Sequence, residues 1–121
     1  MTTNELKDRT KSLGIRIIKM TEKLPQSQAG KIISGQIIRS GTSVGANYRA
    51  VCRAKSDNDF INKLKIVEEE TDETLYWLEI ISDLELIRPD LLVDLKNETN
   101  ELLSIFVSSI NTKRSHLNLK S

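Results

Sequence analysis

Between residues 60 and 81 the chain repeats an apolar or small side chain at alternating intervals of four and three: Phe60, Leu64, Val67, Thr71, Thr74, Leu78 and Ile81. On an α-helix this spacing gathers all of them on one side, and a mean period of about 3.5 residues is the seam pattern of helices packed nearly parallel or antiparallel. A strand would need a period of two, which is absent here. A helix of this length cannot bury such a seam alone, so the rest of the chain must supply partners.

Three further segments carry matching stripes. Leu6, Leu13, Ile17, Met20 and Leu24 share one face of a helix expected over about 3–24, opened by a Thr2-x-x-Glu5 capping box and closed before Pro25. Ile33, Ile37, Val44, Tyr48 and Val51 do so over about 27–54. Leu92, Leu95, Thr99, Leu102, Phe106 and Ile110 do so over about 89–112, where Pro89 suits a first helical position. The central seam then belongs to a helix over about 57–86, with Ser56 as its cap. Links of a few residues between long helices force antiparallel neighbours, so the expected architecture is all-α, an antiparallel up-and-down four-helix bundle over residues 1–112. The basic tail 113–121 continues no apolar stripe and is expected to fray.

The second segment contains Ser40-Gly41-Thr42-Ser43-Val44-Gly45-Ala46. Each glycine inside a helix costs about 1 kcal/mol relative to alanine, so a loop is the competing reading. The apolar spacing stays in phase on both sides of the run. That favours a helix whose small residues admit a close neighbour.

One domain is the natural content of 121 residues. Charged residues reach 29% and aromatics only 4%, a balance that suits packed helices better than a β-sandwich. Cys52 stands alone, so no intramolecular disulfide can form. No apolar run is long enough to span a membrane, and the polar start does not resemble a secretory signal, which makes the cytoplasm the expected location. The net charge of +1 hides a segregation: residues 1–55 carry a net +8, residues 56–112 a net −10 and the tail +3. Either the halves attract each other within the bundle or a partner meets one of them.

Two faces stand apart from the seams. Ile66, Trp77, Ile80 and Leu84, with Glu70 and Glu73 among them, lie roughly 100° or more from the main stripe of the third helix. They form either the wide buried side of a central helix or a subunit interface anchored by tryptophan. Arg9, Arg16, Lys19 and Lys23 share one side of the first helix. Lys31, Arg49 and Arg53, with Arg39 nearby, share one side of the second. Such stripes are either solvated faces or a phosphate-binding surface. No zinc-finger spacing, RNA-recognition aromatic motif or helix-turn-helix accompanies them.

Enzymatic chemistry finds no foothold. A di-iron bundle needs paired Glu-x-x-His motifs, and the single histidine, His116, lies in the tail. Glu68, Glu69, Glu70, Asp72 and Glu73 point in several directions from one helix. Cys52 has no histidine near it in sequence and reads as a small apolar residue. Gly41-x-x-x-Gly45 lacks the Lys-Ser/Thr of a phosphate loop. No enzyme activity, metal or cofactor is therefore expected.

The run from Gln36 to Asn47, QIIRSGTSVGAN, resembles the signature of the bacterial 23S rRNA intervening-sequence protein family, also called the four helix bundle protein family. The runs SDNDFINKLKI at 56–66 and ETDETLYWL at 70–78 match the same family in order. The resemblance implies a four-helix bundle that assembles as a ring-shaped homo-oligomer, a pentamer, without enzymatic activity. Relatives serve as accessory proteins of diversity-generating retroelements, where a positively charged ring partners a reverse transcriptase and RNA or DNA. Arg39, Ser43, Asn47, Asp59, Glu70, Glu73 and Trp77 fall on family-typical positions. Ala50 departs from the glutamate many members carry there.

Overall fold

The structure, a computed structural model, describes the backbone through Lys120 and the side chains through Asn118. Four helices follow one another: α1 (Thr3–Thr21), α2 (Gln28–Val51), α3 (Asp57–Asp83) and α4 (Val93–Lys120), with a 3₁₀ turn (Pro89–Leu91) before the last. Consecutive helices pack antiparallel as an up-and-down bundle, and α1 meets α4 along a thinner seam that closes it.

Local chemistry starts the first three helices. The hydroxyls of Thr2, Ser27 and Ser56 accept hydrogen bonds from the amides of Glu5, Gly30 and Asp59 at 3.0–3.1 Å. For Thr2 this is one half of the expected reciprocal cap. Each of these helices ends three residues short of the expected 24, 54 and 86. At the end of α3, Glu85 takes the left-handed conformation (φ 52°) and the Leu86 amide reaches back to the Ile81 carbonyl at 3.0 Å. That is the usual device for satisfying the last carbonyls of a helix, here without the customary glycine.

The expected stripes form the core. Every named stripe residue of the first, second and fourth helices is buried, as are Leu64, Val67, Thr71, Thr74, Leu78 and Ile81 of α3. Phe60 is the exception. Ile61 takes the buried place at that level, and Phe60 lies half-buried with the Lys113 ammonium 5.0 Å from its ring centre. The buried hydroxyls of Thr10, Thr71 and Thr99 bond to carbonyls one turn back at 2.7–2.8 Å. Thr74 bonds to the Glu70 carbonyl and also lies 3.0 Å from the Ser40 hydroxyl, which ties α3 to α2.

The Ser40–Ala46 stretch is helical and lies inside α2. Its glycines mark the closest approach of α1. A methyl group on Gly41 would stand 3.0–3.2 Å from the Ile17 side chain, and one on Gly45 would stand 3.2 Å from the Thr10 carbonyl group.

Two expectations about the fourth helix need correction. Pro89 opens a 3₁₀ turn, closed by Leu92 N–H bonding to the Pro89 carbonyl, and α4 begins only at Val93. The turn sends Leu92 into the core and leaves Leu91 exposed. The helix does not stop at 112: α4 runs on to Lys120. Lys113 reaches Asp57 at 3.3 Å, and Leu117 packs against the core edge, so tertiary contacts extend a helix whose stripe had ended.

Candidate functional site

The charged residues singled out from sequence divide into two groups. Arg9, on the α4 side of α1, is neutralised within the chain. Its guanidinium donates to both carboxylate oxygens of Glu98, at 3.0 and 2.5 Å, and lies 3.2 Å from Glu101. The Glu98 hydrogen bond raises the Arg9 pKa above its ordinary value. Arg39 on α2 is held by Glu70 at 3.2 Å and by Glu73 of α3. Neither arginine is free to take a phosphate, which corrects their place in the two basic stripes.

Arg16, Lys19, Lys23, Lys31, Arg49 and Arg53 make no ion pair with any described residue. Arg16, Lys19 and Lys23 stand along one wall of a cleft of about 280 Å³ where the end of α1 faces the start of α4. Met20, Ile87, Leu91 and Leu95 supply apolar lining, and Asp94 is its one carboxylate.

A larger groove of about 500 Å³ runs between α1 and α2. Lys7 and Lys11 stand on its α1 wall and Arg49 on its α2 wall, with Asp8 as its one acidic residue. Its floor is the close α1–α2 contact at Gly14, Thr42, Gly45 and Ala46, whose small side chains keep the furrow above it shallow and open. Ile15 and Ile18 line it while remaining 45% and 42% exposed. Lys7, Lys11, Ile15 and Ile18 lie outside the stripes picked out from sequence. The signal that would have found them is the run of small residues across α2, which implies a shallow furrow beside whichever helix packs there.

The second face of α3 is split. Ile66 and Leu84 are exposed, whereas Trp77 and Ile80 are half-buried against the core, so it is not simply the wide buried side of a central helix. The Trp77 indole N–H donates to Glu73 Oε2 at 3.2 Å, the oxygen that also receives Arg39. Burial opposes ionisation of Glu73, but Arg39 and Trp77 together hold its carboxyl below the ordinary range. Tyr76 stacks edge-on to Trp77 with ring centres 5.0 Å apart and is itself exposed. On α2, Ile32 lies seven residues before Arg39 on the same helical face and is also exposed.

The remaining family-typical polar residues act locally. Ser43 donates to the Arg39 carbonyl at 2.6 Å, and Asn47 to the Ser43 carbonyl at 2.9 Å. Asp59 accepts from the Lys63 ammonium at 2.8 Å and the Lys55 amide at 2.9 Å, which lowers its pKa. Cys52 is half-buried at the end of α2. Burial pushes the neighbouring Tyr48 phenol up to about 12.

The sequence pattern of the 23S rRNA-intervening sequence proteins matches residues 2–108. The chain belongs to that family. A similar protein of known structure is a protein of unknown function from the S23 ribosomal protein family of Bacteroides thetaiotaomicron. It is 38% identical, superposes with a TM-score of 0.83, and the match covers 92% of this chain and 99% of that one. No curated protein matches the chain. Within the matched residues, the α2–α3 contact of this family member holds Arg39, Glu70, Glu73 and Trp77 together. No helix of this family member is long and apolar enough to cross a membrane among the described residues.

Proposed function

We propose that this family member is a non-enzymatic, oligomeric accessory protein that binds nucleic acid through the unpaired cations of α1 and α2. The observation that carries the reading is the sorting of charge. Arg9 and Arg39 are neutralised within the chain, while Lys7, Lys11 and Arg49 flank an open groove and Arg16, Lys19 and Lys23 border a cleft, each place holding one carboxylate. Net charge near zero gives no global attraction for phosphate, so binding must come from local density. Repetition of each patch around an oligomer multiplies that density, and the exposed Ile32, Ile66, Tyr76 and Leu84 offer the surface for assembly.

Fluorescence anisotropy with structured RNA and with duplex DNA, at low and physiological salt, tests the reading. Binding should be weakly sequence-selective and fall steeply with salt, because it rests on phosphate contacts and counterion release. Replacing Arg16, Lys19, Lys23 and Arg49 by Gln should weaken it and flatten the salt slope. No binding by the unaltered protein at low salt would defeat the proposal. The exposed apolar residues of α2 and α3 favour a second reading in that case, a purely structural or protein-binding oligomer.

A further inference from the structure

We infer that the groove between α1 and α2 takes a single nucleic-acid strand in preference to a duplex, a deepening that rests on the nucleic-acid reading above. Two features of the groove point the same way. Its cations come from both walls, Lys7 and Lys11 from α1 and Arg49 from α2, so a phosphate chain running along it is held from two sides. Its lining also holds Ile15 and Ile18, each more than two-fifths exposed, beside the small residues Gly14 and Ala46. A surface meant only for phosphates has no use for exposed isoleucine.

A duplex presents its charged backbones outermost and keeps its bases stacked inside, so it meets the cations but cannot cover the isoleucines. A single strand offers both chemistries at once, phosphates on one edge and free base faces on the other, the pairing that single-strand grooves exploit. Aliphatic side chains replace aromatic platforms here, so the preference should be modest and tolerant of sequence. Asp8, on the lysine wall, opposes phosphate and limits affinity.

The test compares an unstructured poly-pyrimidine RNA with the same RNA annealed to its complement, using the full-length protein at fixed salt. The single strand should bind more tightly. Ile15→Ser with Ile18→Ser should weaken the single strand about three- to tenfold, as expected for losing partly buried apolar contact, and leave the duplex unchanged. Both residues are already exposed, so folding should survive, and circular dichroism checks that it does. Lys7→Gln, Lys11→Gln and Arg49→Gln together should reduce the single-strand salt slope by about 2. Asp8→Asn should tighten binding. Equal affinity for strand and duplex, or indifference to the isoleucine changes, overturns the inference while leaving nucleic-acid binding standing. No binding of either RNA removes the underlying reading as well. A fall in particle mass on changing Lys7, Lys11 and Arg49 would make the groove a subunit contact and also overturn it.

Discussion

Replacing Gly41 by leucine sets two effects of known sign against each other. Leucine is the better helix former, worth about 0.8–1 kcal/mol in an exposed helix. At Gly41 the first added carbon already stands 3.0–3.2 Å from three atoms of Ile17, a fully buried side chain on α1. The rest of the leucine must then push α1 away from α2, and overpacking of this kind costs about 1–3 kcal/mol. The net loss should be about 1–2 kcal/mol, which for a chain of this size lowers Tm by roughly 4–8 °C. Gly35→Ala is the internal control. Nothing lies within 4 Å of its added methyl, so only the helix gain of up to about 1 kcal/mol applies and Tm should rise by a few degrees. Ile17→Ala alone should cost about 2–5 kcal/mol by leaving a cavity. Combined with Gly41→Leu it should cost less than the sum by at least 0.5 kcal/mol, because each change relieves the other. Thermal unfolding followed by circular dichroism at one fixed protomer concentration measures all four variants. A Gly41→Leu protein that melts at or above the unaltered one, or strict additivity with Ile17→Ala, would refute the packing argument.

Size exclusion with light scattering should give a mass several times 13.7 kDa, and Trp77→Ala should weaken assembly more than Leu103→Ala; a clean monomer at micromolar concentration defeats the oligomer reading. Arg9→Gln should lower stability by about 1 kcal/mol and speed hydrogen exchange in α4 without changing RNA affinity, because Arg9 clamps the α1–α4 seam with both partners of its main bond only 21% exposed. Loss of RNA binding in that variant would return Arg9 to the interface. The Glu73 carboxyl sits below its ordinary value of 4.5, so its contribution is complete above that pH and is lost as pH falls through the lower folded value. Trp77, the only tryptophan, donates to that carboxylate. Its emission should therefore titrate with a midpoint below 4.5 while helicity is unchanged, and Glu73→Gln should abolish the step. A midpoint at or above 4.5 would show that Arg39 and Trp77 do not stabilise the ionised form.

What the amino-acid sequence determined by itself was the set of helices and their buried faces. Periodicity is a local property, and a stripe such as Leu92, Leu95, Thr99, Leu102, Phe106 and Ile110 has only one way to leave water. The same holds for the helical Ser40–Ala46 run, whose phase was set by its apolar neighbours. Which cations remain free was decided by the tertiary structure alone. Arg9 and Arg16 lie on one helix face in sequence, yet Glu98 arrives beside one and not the other, because the offset between α1 and α4 depends on how the whole core packs. Ile61, three residues before Leu64, takes the seam position in place of Phe60, which instead lies beside Lys113 from a tail that carries no stripe of its own, a neighbour that only the tertiary structure supplies. The α1–α2 groove, too, exists only between elements. It is a furrow beside the close α1–α2 contact that Gly14 and Gly45 permit, and no single stretch of sequence contains it.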